Sequence, residues 1–364
     1  MPKKPARTLL ATLTAVTLSL GLSACADNQD TYELHYATYS NSVSDQSKTV
    51  QAWAKRVEEL TGGAVTVRFH YSQSLIGADE AANAIVDGRA DIAQVASLYS
   101  ASDLPMYTVA ELPFETQNPH AHMRAVQRMY EESAEYREDF DKRGTRQLFP
   151  LPVGVAVLGT TTQVTGSDDL TNKNIRSGGL VAQVMQQGGA NPVAMTATDV
   201  YESMERGIID GYTSLGMSNM PTFGLAENTN YISNPGVGLY GSSLVGMSED
   251  LFDKMPENYQ QALLQASEEA INIGLKELDK EGTLACALAK DVGTEFIRWP
   301  EDEMAALEEA STVVDEWISR NESRGYNART VIDDYRRILS EEEDNSTYKD
   351  ALDQCIDNEV NTHE

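Results

Sequence analysis

Three short stretches decide the fold: YELHYATY at residues 32–39, VTVRFHY at residues 65–71 and DIAQVA at residues 91–96. Apolar and polar residues alternate in the first two, which is typical of a β-strand with one buried face, and the third is a short apolar run. Helical patterns separate them, at residues 46–60, with an apolar face, and at residues 77–88, which end in glycine. This order predicts a parallel sheet with helices on its faces.

The same alternation restarts in the second half of the chain. Residues 175–177 close a short strand, residues 180–188 form a helical pattern, residues 192–195 are extended, and residues 198–206 form a helix that ends at Gly207. The predicted fold class is therefore α/β, with two lobes and a cleft between them. Ligands of open α/β sheets bind beyond the carboxyl ends of the strands.

The remaining segments are mostly helical. A charged helical stretch covers residues 121–143, and a β-rich segment covers residues 231–247. Beyond Glu249 the pattern is helical to the end, with Trp299-Pro300 as one interruption. The acidic run at residues 341–345 predicts a solvated turn or a frayed helix end.

The first 25 residues predict export. A basic start precedes an uncharged apolar stretch at residues 9–20, and Leu22-Ser23-Ala24 then leads to Cys25. This order is typical of a signal peptide, here residues 1–24, and the apolar stretch is shorter than the ~20 residues that span a bilayer. We expect cleavage before Cys25, a lipid on its thiol, and a tether at residues 25–31 that holds the protein at the cell membrane. An ordinary signal peptide with an incidental cysteine is the alternative.

Composition limits the classes of partner. The 364 residues suffice for two domains, and 56 acidic against 28 basic residues give a net charge of −28. Such a charge argues against nucleic-acid binding, which needs a basic surface. Of three cysteines, a lipidated Cys25 leaves Cys286 and Cys355, which in an oxidising compartment form either a disulfide or two separate buried thiols.

Motifs of catalysis and cofactor binding are weak. The glycine pattern at residues 236–241 precedes a strand rather than a helix, so we interpret it as a kinked or crossing strand instead of a dinucleotide site. His120 and His122 are two residues apart on a predicted surface helix start, where they point away from each other. The sequence has no Gly-x-Ser-x-Gly element. We therefore predict no enzyme, no cofactor and no metal.

Arg176 is the strongest candidate for a binding residue. It ends the strand Lys173–Arg176 immediately before Ser177-Gly178-Gly179, where a helix begins. A guanidinium beside free helix N–H groups suits a carboxylate, because its fork pairs with both oxygens. A surface or lobe-bridging arginine is the alternative interpretation.

Longer motifs carry a resemblance to a known family. They are DDLTNKNIR at 168–176, GGANPVAM at 188–195 and DVYESMERGIIDG at 199–211, together with TGG at 61–63, LIG at 75–77, VDGRADI at 86–92 and LPF at 112–114. In this order and spacing, across roughly residues 31–325, the set resembles the solute-binding proteins of TRAP (tripartite ATP-independent periplasmic) transporters, dicarboxylate-binding type.

The resemblance implies two lobes braced by a long helix and closing on an organic acid, without chemistry on it. Lobe I would comprise residues 32–152 and about 238–285, lobe II residues 153–237 and about 286–325, and residues 326–364 an acidic helical extension. The partner would be an ion-gradient-driven TRAP permease. A sensory protein that presents the same ligand to a histidine kinase is the alternative, and a secreted hydrolase is a remote one.

The resemblance also implies a binding site, in which Arg176 makes the ion pair to the ligand carboxylate. Positions after the strands supply further candidates: Tyr39, Ser40, Gln46, Gln73, Ser97, Gly178 and Ser214. The chain departs from the family at Gly154-Val155-Ala156, where many members carry a second arginine, and at Ala197, where an aromatic residue is common. Ser214 stands where asparagine is expected. We therefore favour a monocarboxylate.

Overall fold

The computed structural model describes residues 30–363, and its strands form two sheets. The strands are β1 (Tyr32–Ala37), β2 (Val65–His70), β3 (Ile92–Ala96), β4 (Thr145–Leu151), β5 (Leu158–Thr160), β6 (Asn174–Arg176), β7 (Asn191–Val193), β8 (Gly211–Tyr212), β9 (Tyr231–Asn234), β10 (Ser243–Ser248) and β11 (Glu295–Arg298).

Helices connect and cover these strands. They are α1 (Asp45–Leu60), α2 (Ala81–Asp87), α3 (Pro119–Glu132), α4 (Ala134–Arg143), α5 (Gly179–Gln187), α6 (Val200–Glu205), α7 (Asn219–Phe223), α8 (Glu249–Lys254), α9 (Glu257–Asp291), α10 (Glu301–Ala310), α11 (Val313–Ser323), α12 (Ala328–Asp344) and α13 (Ala351–His363).

The first sheet has the order β2-β1-β3-β10-β4. Strands β1, β2 and β3 are parallel, and β10 runs antiparallel to both β3 and β4. These three parallel strands are the ones predicted from the opening stretches. Helices α1 and α9 cover one face, where Trp53 of α1 donates to Ser267 Oγ of α9 at 3.2 Å.

The second sheet has the order β11-β9-β5-β8-β6-β7. Strands β6, β7 and β8 are parallel, and β5 joins them antiparallel. The restarted alternation predicted β6 and β7 but not the short β8. The edge strand β11 lies within the segment predicted as helical. It pairs parallel with β9, a contact between distant segments that local periodicity does not reveal.

Two extended segments pass between the sheets. One continues from β4 to β5, the other joins β9 to β10, and a bridge between Val155 and Leu239 pairs them antiparallel. The Ala156 N–H donates to Gly238 O at 2.9 Å. The glycine pattern at 236–241 is thus part of a crossing segment. The β-rich segment predicted at 231–247 contains β9 and most of β10, and these two strands belong to different sheets.

Helix α9 braces both sheets. Its 35 residues span about 50 Å at the helical rise of ~1.5 Å per residue. Its first half packs on α1 and β4, and its second half packs on α13, which also contacts β9 and β11. A disulfide joins Cys286 of α9 to Cys355 of α13, with the two Cα atoms 6.0 Å apart.

The C-terminal helices are packed. Buried side chains of α12 include Val331, Tyr335 and Ile338, and α12 packs on α3. Most of the acidic run at 341–345 forms the last turn of α12 rather than a separate turn, and Arg128 of α3 pairs with Glu341 at 2.7 Å and with Glu342 at 2.9 Å.

The predicted surface position of His122 is also wrong. Its ring is buried and contacts Tyr335 Oη at 2.8 Å and Gly241 O at 3.0 Å. Burial lowers the pKa of His122 to about 4, so the ring is neutral and helps to hold the crossing segment.

The structure bears on the predicted membrane attachment only in part. The predicted signal peptide (1–24), Cys25 and most of the tether lie outside the described residues. Within residues 30–363, no helix has the length and hydropathy of a membrane span.

Candidate functional site

The candidate site lies where strands of both sheets end. Loops after β1 and β3 of the first sheet carry Tyr39 and Tyr99, and the second sheet contributes Arg176 at the end of β6 and Ser214 after β8. Because parallel strands place their carboxyl ends at one edge, these segments meet. They enclose a small cavity lined by Tyr39, Gln46, Leu98, Tyr99, Arg176, Ala197, Ser214, Leu215, Asn219, Phe223 and Tyr240.

The guanidinium of Arg176 lies in this cavity wall and is 1% exposed. Its Nε and Nη2 donate to Met195 O at 3.2 and 3.1 Å, and its Nη1 donates to Thr213 O at 3.0 Å and Ser214 O at 3.1 Å. Nη2 also donates to Tyr99 Oη at 3.2 Å. These five contacts match the five N–H donors of an arginine.

All of these acceptors are neutral. Within residues 30–363, no carboxylate oxygen lies within ion-pair distance of Arg176, and its recorded acceptors are backbone oxygens and the Tyr99 hydroxyl. Burying a charge without a counter-charge costs free energy. The site therefore favours an anion, and a guanidinium favours a carboxylate or phosphate with two oxygens.

Aromatic side chains form most of the remaining wall. The rings of Tyr39 and Tyr99 meet edge to face, with centroids 5.6 Å apart at 84°. Burial raises the pKa of Tyr39 and of Tyr240 above the usual value for a phenol, so both remain neutral. Tyr240 donates to Asn219 Oδ1 at 3.1 Å, and Phe223 adds an apolar face.

Ser214 and Asn219 shape one side of the cavity. Ser214 has a φ of 56°, and its Oγ donates to Gly178 O and accepts from Gly178 N, both at 3.1 Å. Asn219 Oδ1 accepts from Gly216 N at 2.9 Å. These contacts hold the loop after β8 against the start of α5.

A buried polar layer supports Gln46. Its Nε2 donates to Pro152 O at 2.9 Å, and its Oε1 accepts from Gln94 Nε2 at 2.6 Å and from Ser40 Oγ at 3.2 Å. The nitrogen and the oxygen of the Gln46 side-chain amide are therefore both hydrogen-bonded to other groups of the protein.

Contacts between the lobes close the cleft around the cavity. Gln73 donates to Thr198 Oγ1 at 3.1 Å, and Asn41 donates to the backbone oxygen of Thr222 at 2.7 Å. The cavity that remains has a volume of about 20 Å³, room for about one water molecule. A ligand larger than water therefore enters only if the lobes part or side chains move.

The predicted site residues divide into two groups. Arg176, Tyr39, Gln46 and Ser214 line the cavity. The other four do not line it: Ser40 bonds Gln46, Gln73 bridges the lobes, Ser97 accepts from Ser242 N and Gly178 bonds Ser214.

Sequence reasoning missed five lining residues: Tyr99, Leu215, Asn219, Phe223 and Tyr240. Tyr99 follows β3 closely, so the rule that selected Ser97 could have included it. Tyr240 lies in the crossing segment, and Asn219 and Phe223 lie in α7, which the sequence pattern did not distinguish.

The described residues contain no group of three or more His, Cys, Asp or Glu that could hold a metal ion. Two α/β lobes that close over one buried guanidinium form an architecture suited to binding an anionic solute. Residues 36–320 match the family described as bacterial extracellular solute-binding protein, family 7 (DctP). The chain belongs to this family, whose members bind solutes and are not enzymes.

Relatives and solved structures agree with this assignment. The C4-dicarboxylate-binding periplasmic protein DctP of Rhodobacter capsulatus is 24% identical, over 84% of this chain and 92% of the relative. A TRAP solute-binding protein of Rhodoferax ferrireducens T118, in complex with copurified benzoate, has a TM-score of 0.78 and 21% identity, over 86% of this chain and 98% of that one.

A marine metagenome TRAP protein specific for aromatic acid ligands, solved with metahydroxyphenylacetate, also has a TM-score of 0.78. It is 20% identical, over 85% of this chain and 99% of that one. At such identities the two structures establish the shared fold.

Proposed function

We propose that this chain captures a small organic acid with one carboxylate and a planar, largely apolar body, and delivers it to a TRAP permease. The observation that carries the proposal is the buried Arg176, surrounded by neutral acceptors and aromatic rings. The ligand carboxylate would supply the negative charge that the site lacks.

The lining supports a single carboxylate. Of the eleven residues that line the cavity, Arg176 alone carries a charge. A second carboxylate would be buried without a cation, which costs free energy. The aromatic and apolar wall favours a flat apolar body over a polyhydroxylated one, since a sugar acid would leave several hydroxyls without partners. Two proteins with this fold hold aromatic acids, which agrees with this ligand class.

A thermal-shift panel tests the proposal. Benzoate, 3-hydroxybenzoate, succinate and galacturonate would be compared at equal concentrations, because a ligand that binds the folded state raises Tm. We expect the two aromatic acids to give the largest shifts. Larger shifts with succinate or galacturonate would refute the ligand class, and no shift with any organic acid would refute the receptor role.

The anchor forms a separate part of the proposal. A lipid on Cys25 would keep the receptor beside its permease, where a free protein could diffuse away. Labelling of cells with an alkyne fatty acid should mark the wild-type protein and spare Cys25→Ser. Equal labelling of both proteins would contradict the anchor.

A further inference from the structure

The five hydrogen bonds of Arg176 come from two sources. Four go to backbone oxygens of Met195, Thr213 and Ser214, which lie beyond strands of its own sheet. The fifth goes to the hydroxyl of Tyr99, which follows β3 of the other sheet. The strand ends fix the positions of the backbone acceptors. The hydrogen bond to Tyr99, in contrast, forms only when the two lobes are closed and the Tyr99 side chain adopts this rotamer.

The Tyr99 oxygen receives two donors. Arg176 Nη2 and the backbone N–H of Ala197 both donate to it, each at 3.2 Å. A guanidinium N–H and a backbone N–H that converge on one oxygen are typical of a bound carboxylate, which accepts charge-assisted hydrogen bonds more strongly than a phenol does. The two donors are thus arranged as they would be around a carboxylate oxygen, but the group they hold is a neutral hydroxyl.

Space excludes simultaneous occupation. About 20 Å³ remains in the cavity, so a carboxylate cannot reach the guanidinium while the hydroxyl stays. The Tyr99 side chain is partly exposed and packs edge to face on Tyr39. Displacement of the hydroxyl would therefore move a side chain that is not fully enclosed.

We propose that the Tyr99 hydroxyl occupies the place of a ligand carboxylate oxygen on Arg176 and is displaced when the acid binds. Tyr99 would keep the guanidinium aligned between binding events and would compete with the ligand, which lowers affinity. The inference rests on the proposed function only in taking the ligand to be a carboxylate.

The test uses Tyr99→Phe, which keeps the ring and removes the hydroxyl. Formate, the smallest carboxylate, and benzoate would be titrated into the wild-type and variant proteins by calorimetry. We expect the variant to bind formate about tenfold more tightly, the effect of removing one competing hydrogen bond. Tyr71→Phe is the matched control, because its hydroxyl accepts from Gln51 and lies outside the cavity, and we expect no change there.

Each outcome decides the inference. Tighter formate binding by Tyr99→Phe, with no change in Tyr71→Phe, supports it. Unchanged, weaker or undetectable formate binding by Tyr99→Phe overturns it, since the freed donors would then not prefer a carboxylate. The acid panel on the wild-type protein judges the proposed function separately, so the two failures are distinguishable.

Discussion

Arg176 combines features that rarely occur together in one side chain. It is buried, all its donors are used, and its acceptors are neutral. The net charge of −28 does not prevent anion binding, because charges at the solvated surface are screened whereas a buried guanidinium is not. Selectivity for an acid therefore arises at one residue rather than from the overall charge.

Glu111 gives a prediction for pH dependence. Burial raises the pKa of Glu111 to about 7, although its carboxyl accepts from Leu180 N at 3.1 Å. Because the folded-state pKa lies above the unfolded one, its contribution to stability is full in acid and is lost as the pH rises through 7. We therefore expect Tm to fall less between pH 5 and pH 8 in Glu111→Gln than in the wild-type protein.

The measurement is calorimetric melting of both proteins across that range, with the exposed Glu205→Gln as control. A pH profile of Glu111→Gln that coincides with wild type would show that Glu111 does not contribute. Asp45 also titrates in this range, since burial raises its pKa to about 6, so the difference between proteins is the informative quantity.

At this scale, sequence reasoning identified a residue of the cavity wall where the signal is local. Arg176 stands at a strand end beside two glycines, a pattern visible in consecutive residues. Tyr240 and Asn219 carry no such pattern, because the fold brings them to the cavity through the crossing segment and α7. Their contact with each other at 3.1 Å joins residues from separate elements.

At the scale of elements, the two crossing segments are the connection on which lobe geometry depends. Their backbones pair at Val155 and Leu239, and Gly238 has a φ of +83°. The sequence predicted a crossing or kinked strand here, because the glycines precede a strand. The strand patterns alone do not assign β9 and β10 to different sheets, whereas the lobe boundary near residue 238 that the family resemblance implies does separate them.

Gly238→Ala should destabilise the protein. A Cβ at Gly238 would lie 2.5 Å from the backbone oxygen of Thr116, and the positive φ adds strain of about 1 kcal/mol. Gly207→Ala is a matched control, since its φ is +65° and nothing lies within 4 Å of the added Cβ. We expect urea melts to show a clearly larger loss in unfolding free energy for Gly238→Ala. Equal losses would contradict the close-contact explanation.

At the scale of the whole molecule, helices α9, α12 and α13 tie the chain together. The sequence predicted a long bracing helix through the family resemblance and treated residues 326–364 as an extension. In the structure, α12 of this segment packs on α3 and α13 packs on α9. Acidic residues that suggest solvation, such as Glu341 and Glu342, are paired by Arg128, and composition alone cannot show such a partner.

The disulfide should contribute measurably to stability. Cys286 and Cys355 are separated by 69 positions, and closing a loop of that size restricts the unfolded chain by about 4 kcal/mol. We expect the double variant Cys286→Ser/Cys355→Ser to melt at a lower temperature than wild type and to be insensitive to reductant. A wild-type Tm unaffected by reductant, together with an unchanged Tm in the double variant, would contradict this contribution.

The central claim is that Arg176 anchors the single carboxylate of the ligand. Calorimetric titration of the best acid from the panel into wild type, Arg176→Ala and the exposed control Arg206→Ala tests it most directly. Loss of a charge-assisted contact in a closed cleft should weaken binding by about 1–3 kcal/mol, while Arg206→Ala binds as wild type. Unaltered affinity in a folded Arg176→Ala protein would contradict the account.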